Sequence, residues 1–136
     1  MIQPTLVLFY VADIPASVAF YRAALQREPV QSHPGFALFA FDAGPALGLW
    51  SREEAEPAAE GGGGGGELAL AVPEPVQVDG LLAHWRRCGA RIAQQATVMD
   101  FGHTGVALDP DGHRLRVYCP SDLATTSSRM LQRNPD

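Results

Sequence analysis

The sequence predicts an α+β chain made of two copies of one βαβββ module. Three observations carry this prediction. The order strand, helix, strand, strand, strand occurs twice; stretches of the second half can be laid on the first residue by residue; and a run of six glycines stands between the copies.

The elements follow from local chemistry. Thr5-Leu-Val-Leu-Phe-Tyr-Val11 is rich in β-branched and aromatic residues and reads as a strand. Asp13 stands at a helix entry, and residues 17–25 place Val18, Tyr21 and Leu25 at helical spacing. Short strands are predicted near 29–31, at 36–41 and at 46–50, the last two joined by the Asp42-Ala-Gly44 turn. After the glycines, residues 68–72 read as a strand and 78–88 as a helix with Leu81, Leu82 and Trp85 on its apolar side. Gly89 ends that helix because it adopts a left-handed conformation cheaply. Strands near 91–96, 104–108 and 114–118 complete the second copy, with Asp109-Pro-Asp-Gly112 as the final turn.

Gly44-Pro-Ala-Leu-Gly-Leu-Trp50 aligns with Gly112-His-Arg-Leu-Arg-Val-Tyr118, and Tyr21 with Trp85. The expected organisation is therefore a module at 4–50, a connection at 51–66, a module at 67–120 and a tail at 121–136. Consecutive glycines have much backbone entropy to lose and no side chains to bury, so the connection is expected to be flexible. A phosphate loop would end in Lys-Ser/Thr and open a helix, whereas here a strand follows. The tail, with Thr125-Thr-Ser-Ser128, is polar, and no role is assigned to it.

Composition narrows the function. The 136 residues suit one domain, or one built from two small halves. A hydrophobic share of 46% and a charged share of 18% are those of a globular chain. A net charge of −5 without a block of Lys or Arg argues against nucleic acid as a partner. The longest apolar stretch, residues 6–12, is too short to cross a bilayer, so no membrane partner is expected. Strand-like sequence opens close to Met1, which on this reading leaves no room for a signal peptide and implies a cytoplasmic protein. Cys88 and Cys119 lack metal or redox spacing and are expected to be buried or half-buried free thiols. No nucleophile elbow, Cys-His pairing or matched acid–base carboxylate pair stands out, so no catalytic residue is assigned.

Two stretches carry a resemblance: Val11-Ala-Asp-Ile-Pro-Ala-Ser-Val-Ala-Phe-Tyr21 and Phe101-Gly-His-Thr-Gly-Val-Ala-Leu-Asp-Pro-Asp-Gly-His113. With the duplicated order, they resemble the vicinal oxygen chelate superfamily (glyoxalases, bleomycin-resistance proteins, extradiol dioxygenases). The likeness spans roughly residues 4–120. Leu47-Gly-Leu-Trp50, the Glu-rich loop and Asp100-Phe-Gly-His-Thr104 are most similar to phenazine-antibiotic resistance proteins of that superfamily. The resemblance implies two paired βαβββ modules forming an incomplete barrel around a cleft, commonly in a homodimer. It is poor for function, because the superfamily hosts isomerases, dioxygenases, thiol transferases and antibiotic-sequestering proteins.

Enzymes of the superfamily hold a divalent metal through four side chains on the first and last strands of each module. The matching positions here are Leu6, Gly48, Glu67 and Arg116. Leu and Gly offer no donor, Arg stays cationic, and one carboxylate does not satisfy an ion that needs four to six ligands. His33, His84, His103 and His113 are expected on loops or a helix and do not replace the missing ligands. No metal and no cofactor are expected.

Strand alternation then sorts the side chains. The parity of the lost metal positions gives Leu6, Leu8 and Tyr10; Ala46, Gly48 and Trp50; Glu67, Ala69 and Ala71; and Arg114, Arg116 and Tyr118. Phe36 and Leu38 join them by analogy with Thr104 and Val106. The opposite parity (Val7, Phe9, Val11, Leu47, Leu49, Leu68, Leu70, Val72, Leu115, Val117) is uniformly apolar, as a face buried under helices requires. The expected ligand-binding set is Tyr10, Phe36, Leu38, Gly48, Trp50, Glu67, His103, Arg116 and Tyr118. Tyr10, Trp50 and Tyr118 are suited to stacking on a flat ring, and Gly48 leaves space for it. Trp50 has the alternative of closing the core. Arg116 and Glu67 either orient a ligand or pair with each other. His103 is either a rim contact or an exposed loop residue. The function expected is a metal-free protein that sequesters a planar aromatic molecule, with a phenazine-like antibiotic as the candidate ligand. A metal-dependent lyase, isomerase or dioxygenase and a fold-only scaffold are the alternatives.

Overall fold

The computed structural model describes residues 2–121; the expectation for Thr125 to Ser128 lies outside the described residues. Ten elements alternate as anticipated: β1 (Leu6–Val11), α1 (Ile14–Leu25), β2 (Gln31–His33), β3 (Phe36–Phe39), β4 (Ala46–Ser51), β5 (Glu67–Ala71), α2 (Pro75–Arg87), β6 (Arg91–Met99), β7 (Gly102–Leu108) and β8 (Arg114–Pro120). The chain forms two mixed four-stranded sheets, ordered β1-β4-β3-β2 and β5-β8-β7-β6. In each, the first strand lies parallel to the last and the other pairings are antiparallel. The sequence repeat is thus a repeat of topology, and the fold is α+β.

Both helices begin earlier than their apolar spacing predicts, because the first turn is set by capping. The Asp13 carboxylate accepts the Ala16 amide at 3.0 Å, and a proline follows within the first two helical positions of α1. In α2 the Gln77 side chain returns to accept the Glu74 amide at 2.8 Å, again with proline at the start. Gly89 follows α2 with φ +102°, the left-handed stop read from the sequence. Strand β7 opens at Gly102 and pairs with β6 to its end, so His103 lies in a strand and not a loop. His33 likewise ends β2.

Two compact units are distinguished: one holds the chain through Gly63 together with Pro110–His113, and the other begins at Gly64 and lacks that turn. In the first unit, α1 packs over β3 and β4. Tyr21, fully buried, meets Phe20 edge-on and Phe39 at 6.3 Å, among Val11, Leu47 and Leu49. In the second, α2 packs over β6, β7 and β8 and buries Trp85, Val78 and Leu82 with Leu115 and Val117. Tyr21 and Trp85, aligned by the repeat, are both 0% exposed. The expected apolar parity is realised unevenly, since Val7 is 37% exposed and Phe9, Leu68, Leu70 and Val72 are half-buried. These residues lie on or just beyond β1 and β5, edge strands with one neighbour each.

The turn Pro110–His113 is part of the first unit's structure. Asp111 Oδ1 accepts the Ala12 amide at 3.0 Å, and the His113 ring stacks on that of Phe9 at 4.2 Å with the two planes nearly parallel. His113 Nε2 donates to the Tyr10 carbonyl at 2.9 Å. Asp111 was read as a turn former; it also completes the β1–α1 junction. The glycine run meets this turn at one point. The Gly63 amide donates to the Asp111 carbonyl at 3.3 Å, and a Cβ on Gly63 would lie 2.5 Å from the His113 nitrogen. Nothing lies within 4 Å of a Cβ at Gly62 or Gly65. Gly63→Ala should therefore lose about 1–3 kcal/mol to overpacking against backbone. Gly62→Ala and Gly65→Ala should be neutral or gain up to about 1 kcal/mol through the unfolded chain. Urea unfolding of the three variants checks this; equal effects at all three positions would contradict it.

Candidate functional site

Each sheet has one face under its helix and one face away from it, and the sequence-predicted residues divide between the two open faces. On the first sheet, the register pairs Leu8 with Gly48, Tyr10 with Trp50, Phe36 with Trp50 and Leu38 with Gly48, which puts all of them on one face. The Tyr10 and Trp50 rings lie 6.2 Å apart, inclined by 49°. Trp50 is half-buried and so only partly committed to the core. Gly48 does not leave open space. Its missing side chain is replaced by neighbours, with Leu8 Cδ2 2.7 Å, Leu6 Cδ1 3.2 Å and Phe36 Cε1 3.2 Å from where a Cβ would sit. A glycine within a strand readily admits such close approach, which sequence spacing does not reveal.

The open face of the second sheet is polar. Arg116 donates from Nε to Glu67 Oε1 at 2.7 Å and from Nη2 to Oε2 at 3.1 Å, a two-point pair. Its Nη1 donates to Gln94 Oε1 and to Thr104 Oγ1, each at 3.1 Å, and Thr104 Oγ1 donates onward to the Val117 carbonyl at 2.8 Å. Four of the guanidinium's five N–H groups are thus engaged. Arg114 Nη2 reaches Glu67 Oε2 at 2.6 Å, so one carboxylate serves two guanidinia. The Arg116 side chain is 17% exposed and largely covered, while the Glu67 side chain, 27% exposed, keeps contact with water. Hydrogen bonding from Arg116 holds the Glu67 carboxyl below its ordinary value against the opposing effect of desolvation. Of the two readings left open, pairing is the one the structure contains.

Tyr118 stands on the same parity as Arg114 and Arg116, its ring edge-on to Phe101 at 6.1 Å, with exposed Ala71 as its partner on β5 and Ala69 beside it. His103 is not on this face. One residue from Thr104, it points to the helix side, where Nε2 lies 3.4 Å from Asp79 Oδ2 of α2. It also borders a hollow of about 580 Å³ near the start of α2 and the β6–β7 turn, with Glu74, Met99 and Cys119. Both cysteines are free, Cys88 half-buried and Cys119 buried. Sequence reasoning gave no role to Arg114, Gln94 or Phe101. Arg114 carried a signal in its parity and Phe101 in its motif. Gln94 carried none, because the irregular pairing of β6 decides which side it takes.

The four positions that match family metal ligands do not suit a divalent cation. Leu6 and Gly48 bring no donor atom, Arg116 is a cation, and the Glu67 oxygens are already bonded to guanidinia. Among the described residues no three of His, Cys, Asp and Glu converge.

Comparison with known proteins agrees with the architecture. The profile of the Glyoxalase/Bleomycin resistance protein/Dioxygenase superfamily matches residues 3–117, and the chain belongs to that superfamily. The phenazine antibiotic resistance protein EhpR of Enterobacter agglomerans is 33% identical over 124 residues, covering 89% of this chain and 94% of EhpR. The solution structure of protein ATC0852 from Agrobacterium tumefaciens is 48% identical and superposes with a TM-score of 0.83, covering 90% of this chain and all of the other. A glyoxalase-related enzyme from Fulvimarina pelagi, 22% identical with a TM-score of 0.81 over 88% of each chain, shares the fold.

The ion pair has a pH signature. A carboxylate whose folded pKa is depressed contributes stability that is full above its unfolded value, near 4.5, and is lost as pH falls through the lower folded value. Melting temperatures from pH 7 to pH 3 should fall more steeply in the wild-type chain than in Glu67→Gln, the excess appearing below about pH 4.5. Parallel curves would show that the pair adds nothing.

Proposed function

We propose that this protein binds a flat aromatic small molecule of the phenazine type without a metal ion and protects by sequestering it. The observation that carries the reading is Arg116. A guanidinium occupies a position where enzymes of the superfamily place a metal ligand, and it is tied to Glu67, the one carboxylate among the four matching positions. The similarity to EhpR over nearly the full length of both chains supports the same ligand class. Tyr10, Trp50 and Tyr118, on the open sheet faces, supply ring surfaces for stacking. Phe36 and Leu38 share the face of Tyr10 and Trp50 and extend its apolar area. Sequestration acts by mass action, so it requires stoichiometric protein and tight binding.

The same reading takes the protein to be a cytoplasmic homodimer. Apolar Leu6, Val7 and Leu8 on edge strand β1 are 37–41% exposed, which suits burial against a second copy. No helix among the described residues is long and apolar enough to cross a membrane.

Titration with phenazine-1-carboxylate should quench tryptophan fluorescence through Trp50, while Trp85, fully buried, supplies a constant background. Trp50→Phe should remove most of the quenching and weaken binding about 2- to 10-fold, the range of one stacking contact. No quenching at high micromolar ligand would refute the reading. So would one equivalent of zinc, nickel, manganese or iron per chain in elemental analysis of the purified protein.

A further inference from the structure

The open face of the second sheet carries an unbalanced charge. Glu67 is held between Arg114 and Arg116, and the register adds a third cation, Arg91, which pairs with Leu108 as Leu108 pairs with Arg114; Gln94, Thr104, Ala69, Ala71 and Tyr118 on the same face are neutral. The two arginines share Glu67 unequally. Arg116 takes both carboxylate oxygens and directs its other terminal nitrogen to Gln94 and Thr104, so it has little left to offer a ligand. Arg114 reaches Glu67 through one terminal nitrogen, its one partner among the described residues, and its side chain is 39% exposed. Its Nε is buried without a partner, so the accessible donors are those at its tip. Arg114 is therefore held in place from one side and available from the other.

We propose that Arg114 is the anion-recognising residue of this face, selecting an extended aromatic ligand that carries a carboxylate. The inference rests on the proposed function and narrows it from flat aromatics in general to aromatic carboxylates. Four residues along a strand separate the Cα atoms of Arg114 and Tyr118 by about 13 Å. The ligand's ring lies toward Tyr118 and above the small Ala69 and Ala71, with its carboxylate at the far end on Arg114. Glu67 acts as a positioning residue: it fixes the Arg114 guanidinium and offsets one of the three positive charges on the face.

The test compares phenazine-1-carboxylate with phenazine-1-carboxamide, which has the same ring and no charge. The wild-type chain should bind the carboxylate at least about tenfold more tightly at low salt, as a charge-assisted hydrogen bond provides, with the preference shrinking as salt rises. Arg114→Gln should reduce the preference to within about twofold by weakening the carboxylate far more than the carboxamide, and Arg114→Lys should keep part of it. Equal binding of both probes by the wild-type chain, or a preference that survives in Arg114→Gln, overturns the assignment and leaves the aromatic reading standing. If neither probe binds, the aromatic reading fails by itself. Nitrogen-15 spectra of the wild-type arginine side chains titrated with benzoate then decide the anion site separately. A shift centred on Arg114 sustains it, and no shift overturns it.

Discussion

A four-stranded sheet has two faces, and a single helix covers only one of them. That constraint organises each half of this chain. Because strand side chains alternate, covering one face with α1 or α2 commits every second residue of the central strands to the helix side and turns the others to the opposite face, where Thr104 and Val106 are nevertheless buried. Leu47, Leu49, Leu115 and Val117 are completely buried as a result. Tyr10, Trp50, Arg116 and Tyr118 stand on the other parity and are half-buried. The second set is the freer to vary, since the first does not change size without opening a cavity or clashing.

On the second sheet that freedom has produced a charged network. A guanidinium removed from water must find partners for nearly all its donors, and Arg116 finds them in Glu67, Gln94 and Thr104. The same contacts occupy the oxygens of Glu67 and draw in Arg114. With its oxygens bonded to guanidinia, Glu67 is poorly disposed to ligate a divalent cation. The first sheet reaches a different end by a simpler route: Gly48 lets Leu6, Leu8 and Phe36 close over the strand, leaving hydrocarbon and two aromatic rings.

Segments distant along the chain also complete one another. The turn between β7 and β8 provides Asp111 to the β1–α1 junction and His113 to Phe9 and Tyr10. The glycine connection touches it at Gly63. Two of the residues that look like plain punctuation in the sequence, Asp111 and Gly63, therefore carry long-range contacts.

By itself, the sequence determined the order of all ten elements, the duplication and the side-chain parity of the central strands. These depend on local propensity, turn chemistry and a period of two, each of which is visible over a few neighbouring residues. It also named Glu67 and Arg116 among the candidate ligand-binding residues, either to orient a ligand or to pair with each other. The tertiary structure decided the remainder: that they bond to each other, that Gln94 and Thr104 complete the set, that His103 turns toward Asp79, and that the space at Gly48 is filled. Hydrogen bonds between strands and the filling of gaps depend on register and distance, and residues far apart in sequence acquire those only when the chain has folded.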